Sequence, residues 1–140
     1  MPVYVLDTAL RDDLRPGLSI HMNPDVLAER GATFSCPPHR RVLGNHYFAC
    51  IEVLGTRAIF VVLYSDSQCS IEDSEREGDW GYASSTYHPD QVWNVPISEI
   101  AIAAALGKDN SSAGNRRYIS ASALGRIQRD CNKGITALAA

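Results

Sequence analysis

The sequence predicts an α+β domain built on a small, strongly curved antiparallel sheet with peripheral helices. Two observations carry that expectation. The first is the stretch His46 to Ser65, HYFACIEVLGTRAIFVVLYS, in which two apolar, aromatic and β-branched runs flank a break at Gly55-Thr56. That is the pattern of a β-hairpin, with a glycine for the positive φ of a two-residue turn. Both arms are close to continuously apolar, so the hairpin is expected at the centre of the fold with both faces covered. The second observation is the order of the remaining elements: strand, short helix, hairpin, long acidic loop, strand, helix, short strand, helix. The 140 residues form one domain, 1–140, long enough for a sizeable core without staples.

Each element has a local reason. Arg15-Pro16-Gly17 is a turn, and Leu18-Ser19-Ile20-His21-Met22 alternates as a first strand does. Asn23 can cap a helix that Pro24 opens, and Val26 to Arg30 give one or two turns ended by Gly31. Cys36-Pro37-Pro38 is stiff and extended, leading through His39-Arg40-Arg41 into the hairpin. From Ser65 to Gly81 the chain is polar, and Glu72, Asp73, Glu75, Glu77 and Asp79 face one arginine, Arg76; a mobile, solvated loop is expected. His88-Pro89-Asp90 reads as a turn before a strand from Gln91 to Pro96. Ser98 is the expected cap of a helix from Glu99 to Leu106, stopped by Gly107. Lys108 to Gly114 is a polar loop, and Arg117-Tyr118-Ile119 is a short strand. Ser120 caps a last helix running from Ala121 to about Asn132, with Leu124, Ile127 and Cys131 on one face and Lys133-Gly134 as its stop.

Composition bounds the function classes. Apolar content of 45% and charged content of 21% are those of an ordinary globular domain, and the formal net charge is −3. A general nucleic-acid binder carries a basic surplus, so any such role here falls to a local arginine cluster. No apolar run reaches the 18 to 20 residues that span a bilayer, and the N-terminus, MPVYVLDTALRDD, lacks the pattern of a signal peptide. The expected compartment is the cytoplasm, with no membrane partner. Cys36, Cys50, Cys69 and Cys131 are then expected as thiols, Cys50 as a small buried hydrophobe.

Four groups of residues bear chemistry. Cys36-x-x-His39 with His46 and Cys50 offers sulfur and nitrogen donors, but finger spacing is absent and no metal or cofactor is expected. His39-Arg40-Arg41 and Arg116-Arg117 are two arginine pairs suited to phosphate, because each guanidinium donates a fork of charge-assisted hydrogen bonds. Alone, each pair is an ordinary solvated loop. Ser65-Asp66-Ser67 ends the hairpin where a hydroxyl and a carboxylate can rim a site or simply make a turn. Trp80, Tyr82, Tyr87 and Trp93 can stack bases or fill a core; Trp93 is expected to be structural and Trp80 to bind. The sequence has no phosphate loop, dinucleotide fingerprint, nucleophile elbow or metal-binding helix motif.

The run Leu14-Arg15-Pro16-Gly17-Leu18-Ser19, followed by Arg40-Arg41 and by Val61-Val62-Leu63-Tyr64-Ser65, resembles the MazF/PemK-like toxin family. The closing Tyr118-Ile119-Ser120 and the helix at Leu124 resemble that family's last strand and terminal helix. The resemblance covers about half the chain. It implies an SH3-like barrel with peripheral helices and metal-independent cleavage of single-stranded RNA through the ribose 2′-hydroxyl. On it, Arg40 or Arg41 stabilises the phosphorane charge and Ser65 positions or protonates the scissile group. His39, Trp80, Arg116 and Arg117 are then the expected substrate contacts. Two departures stand against it: Val42-Leu43-Gly44 follows Arg41 where the family has an arginine-proline pair, and the acidic stretch opposes RNA.

Two readings follow. One is a toxin-like endoribonuclease. The other is a non-catalytic interaction or inhibitor module, whose acidic and aromatic face from Glu72 to Trp80 docks on a basic protein or an antitoxin-like partner. Either is compatible with a homodimer.

Overall fold

The structure, a computed structural model, describes residues 6–64, 69–78, 80, 86–109, 111 and 113–139. The chain is α+β. Its strands are β1 (Leu18–Met22), β2 (Thr33–Phe34), β3 (His46–Leu54), β4 (Arg57–Tyr64), β5 (Cys69–Ser70), β6 (Arg76–Glu77), β7 (Thr86–Pro96) and β8 (Arg117–Ile119). Its helices are α1 (Ala9–Asp12), α2 (Pro24–Glu29), α3 (Ile100–Leu106), α4 (Ala121–Asp130) and α5 (Asn132–Ala139). The strands form one antiparallel sheet in the order β2-β7-β4-β3-β1-β8-β6, with β5 also paired to β7. Among the described residues this path is open, ending at β2 and β6.

The hairpin of β3 and β4 is the centre. Leu54 pairs with Arg57 across Gly55-Thr56, and Gly55 has φ +66°, the left-handed value such a turn requires. Successive residues of β4 go to opposite cores, which is why the run is apolar at every position. Ala58, Phe60 and Val62 pack with Ile20, Phe48, Trp93 and the helical Leu10, Leu27, Ile100 and Ala103. Ile59, Val61 and Leu63 pack on the other side with Ile51, Tyr87, Ile71 and Trp80, and with Ala123, Ile127 and Cys131. The sheet is thus a middle layer, with α1 to α3 on one face and α4 and α5 on the other.

Two bulges bend the sheet. In β3, Ile51 is an extra residue between the Cys50–Phe60 and Glu52–Ile59 pairs. The second is larger. Val61 pairs with Val92 and Leu63 with Tyr87, so Val62 alone spans the interval that His88, Pro89, Asp90 and Gln91 span in β7. The expected turn at His88-Pro89-Asp90 is therefore a bulge inside one long strand, where a proline without an N–H does not interrupt a ladder bond.

Three further expectations are corrected. The acidic stretch is not a free loop: β5 and β6 pair with β7 and β8, Ile71 is 2% exposed, and Glu75 is bonded to Arg126 of α4. Gly134 does not stop the last helix. A Cβ there would lie 2.8 Å from Val92 Cγ2, so glycine is what lets α5 approach β7. Ser98 lies inside a 3-10 turn, Ile97–Glu99, and α3 begins after it. The caps expected of Asn23 and Ser120 are present: the Asn23 side chain accepts from the N–H groups of Asp25 and Val26, and Ser120 accepts from that of Ala123. Among the described residues no helix is long and apolar enough to cross a membrane.

Candidate functional site

The β7 bulge builds a cleft. Ser35 fixes the bulge by donating from Oγ to the Asp90 carbonyl at 2.8 Å while accepting from the Val92 N–H at 2.9 Å. Gln91 is buried and tied at both ends of its amide. Its Oε1 accepts from the Val42 N–H at 2.7 Å and its Nε2 donates to the Tyr64 hydroxyl oxygen at 2.6 Å. The bulge, the end of β4 and the segment before β3 are thereby locked around a space of about 170 Å³ lined by Cys36, Arg40, Tyr64, His88, Asp90 and Gln91. A cavity of roughly 150 Å³ accepts a benzene-sized group. The cleft therefore has room for one phosphate or one sugar ring, and a larger substrate would lie across its mouth.

Tyr64 is the middle of a row of rings. The His46 ring stands edge-on to it with centroids 5.4 Å apart, and the His88 ring does so on the other side at 4.6 Å. The sheet order β7-β4-β3 is what puts the phenol between the two imidazoles. His46 Nδ1 lies 3.1 Å from the Gly44 carbonyl. A carbonyl only accepts, so Nδ1 carries the proton and Nε2 is the basic nitrogen of the neutral ring.

The arginines divide. Arg40 Nη2 is 3.6 Å from Asp90 Oδ2, both side chains 64% exposed. A pair that long and that wet holds its members weakly, so the guanidinium can turn to an incoming anion. Arg41 points elsewhere: Nη2 meets Asp25 Oδ1 at 2.9 Å and Nη1 donates to its neighbour's carbonyl, Val42, at 3.0 Å. His39 is exposed on the same 3-10 turn as Arg40, Pro38–Arg40, and does not line the cleft. Burial raises the Cys36 thiol above its ordinary value, which makes it a wall of the cleft and a poor nucleophile.

The other expected contacts lie apart. Arg116 and Arg117 are not solvated: their side chains are 2% and 3% exposed. Arg116 binds Asp7 at 2.8 Å and Asp13 at 2.9 Å, and Arg117 is bonded to the buried Asp109. Three carboxylates, two of them from the opposite end of the sequence, converge on this buried arginine pair, and these cations are structural. Trp80 is 6% exposed and donates from Nε1 to the Glu77 carbonyl at 2.9 Å, so it is a core residue instead of a stacking platform. Ser65 follows Tyr64 directly but lies outside the described residues, as do Asp79 and Tyr82.

Of the residues expected from sequence, the cleft holds Arg40. It adds Tyr64, His88, Asp90 and Gln91, and brings His46 beside them. The signal for His88, Asp90 and Gln91 is a proline and two titratable groups at the start of a strand-like run, the composition of a bulge as much as of a turn. Tyr64 and His46 stand at the ends of the hairpin arms with no signal of their meeting.

A second hollow, about 330 Å³, lies between β5, the Asp73–Glu75 turn and α4. Its charges are spent on each other. Arg126 donates to both Glu75 carboxylate oxygens, at 2.7 and 2.9 Å, and to the Ser70 carbonyl at 3.1 Å. The Arg126 hydrogen bonds hold the Glu75 carboxyl down at about 2. Tyr87 donates to Asp130 at 2.6 Å, and burial first, then that carboxylate, raises the phenol above its ordinary value.

Comparison of this chain with protein-family models, with curated proteins and with solved structures returns no match.

Proposed function

We propose that the chain is a metal-independent endoribonuclease acting on single-stranded RNA at the β7 bulge. One observation carries the reading: a weakly held guanidinium, a phenol and an imidazole (Arg40, Tyr64 and His88) converge on a cleft of phosphate size. Cleavage through the ribose 2′-hydroxyl needs a cation against the phosphorane oxygens and groups that move two protons, and these residue types provide both. Arg40 takes the first role. Ser65, one residue beyond Tyr64, takes the positioning role that the resemblance to MazF/PemK-like toxins implies. The same resemblance implies a small-barrel fold; the antiparallel sheet is bulged twice, as barrel strands are, while its described path is open from β2 to β6.

The interaction-module reading has less support. Its anchor, Trp80, is covered, and Glu75 is bound within the chain.

The test is RNA of mixed sequence in excess chelator, resolved on a denaturing gel. Arg40→Ala is expected to lower the cleavage rate by about 10²–10³, the loss typical of one preorganised transition-state donor. Arg41→Ala, whose side chain faces Asp25, is expected to leave the rate within about tenfold of the parent. Intact RNA with the parent protein across sequences and salt, or equal losses in both variants, would remove the reading.

A further inference from the structure

We infer that His46 and His88 are a general base and general acid working across Tyr64, a pairing that rests on the ribonuclease reading and names the proton carriers it left open. In-line displacement at phosphorus brings O2′ in on one side as O5′ leaves on the other. The two proton carriers must therefore stand on opposite sides of the phosphate. Three adjacent strands supply that geometry. Tyr64 on β4 is flanked by His46 on β3 and His88 on β7, with ring centroids 5.4 and 4.6 Å from its own.

Their surroundings divide the roles. His46 donates from Nδ1 to the Gly44 carbonyl, which leaves Nε2 to accept a proton. The β1 residue paired with His46 is Met22, which bears no charge, and the group packed on its ring is the Tyr64 phenol. His88 shares its bulge with Asp90, and the cleft it lines also holds Arg40, Tyr64 and Cys36. Arg40 and Asp90, 3.6 Å apart, line the cleft together with His88, and with His46 placed as the acceptor the donor's role falls to His88. His46 is the base and His88 the acid.

The step balances. His46 Nε2 takes the 2′-hydroxyl proton as O2′ attacks phosphorus. The P–O2′ bond forms, the P–O5′ bond breaks, and O5′ takes its proton from the His88 imidazolium. Arg40 meets the non-bridging oxygens. The products are a 2′,3′-cyclic phosphate and a 5′-hydroxyl, and solvent returns one proton to His88 and accepts one from His46.

A dinucleotide embedded in single-stranded DNA, with one ribose and either oxygen or sulfur at the 5′-bridging position, separates the roles. A thiolate leaves without a proton, so the sulfur substrate bypasses the acid. His88→Asn is expected to slow the oxygen substrate by about 10²–10⁴ and to cleave the sulfur substrate near the parent rate. His46→Asn is expected to slow both substrates alike. Thermal midpoints of the two variants check that they fold, and His46→Gln and His88→Gln stand in for an asparagine variant that does not. Equal losses on both substrates for His88→Asn, sulfur rescue of His46→Asn, or parent rates in either variant would overturn the assignment while leaving the ribonuclease reading standing. No cleavage of either substrate by the parent protein would remove both together.

Discussion

Among the described carboxylates of the acidic run that form ion pairs, Glu75 is the least exposed, with its side chain 14% exposed and both oxygens on Arg126. Its carboxyl is held at about 2, against an ordinary 4.5, so the folded chain prefers the ionised form. A depressed carboxyl contributes stability that is complete above its unfolded value and is lost as protons bind the folded state. The contribution is therefore present above about pH 4.5 and disappears as the pH falls towards 2. Urea midpoints from pH 5 to pH 2.5 are expected to fall more steeply for the parent than for Glu75→Gln; parallel curves would show that this pair is not what acid breaks. The sequence displays five acidic residues around Arg76 and suggests a solvated loop, because the partner that matters, Arg126, is 51 positions away from Glu75. Arg116 and Arg117 hide the same way. A buried arginine and an exposed one read alike until its carboxylates, here Asp7, Asp13 and Asp109, are known to converge on it.

Elements were legible where their reasons are local. The β3–β4 hairpin follows from two apolar runs and a glycine, and α2 and α4 from caps whose side chains reach the N–H groups two or three residues on. Elements whose reasons are tertiary were not. The β7 bulge exists because Ser35 binds it from another part of the chain and its own Gln91 reaches out to Val42 and Tyr64, and glycine at 134 lets α5 lie against Val92, which leaves no room for a side chain. Gly134→Ala tests the second case. Alanine adds up to about 1 kcal/mol of helix preference, but its Cβ would stand 2.8 Å from Val92 Cγ2 and 3.1 Å from Val92 Cβ. Val92 is fully buried and β-branched and cannot turn aside. Overpacking costs about 1–3 kcal/mol, so the expected result is a net loss of stability, read as a lower urea midpoint with an unchanged slope. A gain would mean that α5 slides freely on the sheet. Val92 adjoins Gln91, so the variant is also expected to loosen the cleft and lower cleavage more than the stability loss alone explains.

At the scale of the whole molecule, charge decides how RNA would be held. The formal net charge is −3, and two of the four arginines that sequence marks for phosphate are closed inside the fold. Arg40 faces the cleft and Arg41 lies beside it, already paired to Asp25. Single-stranded nucleic acid releases about 0.7 counterion per neutralised phosphate, so one or two contacts give a slope of about −0.7 to −1.4 in log affinity against log salt. Four arginines in contact would give about −2.8. Affinity for a non-cleavable 2′-deoxy strand, measured from 50 to 300 mM salt, is expected in the shallow range. Arg40→Ala is expected to flatten it further. Arg117→Ala should leave the slope unchanged and instead destabilise the fold by about 3–5 kcal/mol, because it strands the buried Asp109 carboxylate. A slope near −3 that Arg117→Ala relaxes, in a variant still folded, would mean that the buried pair opens to meet the strand. A shallow slope that only Arg40 moves assigns recognition to the cleft and stability to the arginines behind it: with so few cations to hold the backbone, affinity must come from the groups at the bulge, and the molecule would bind RNA weakly except where it cuts.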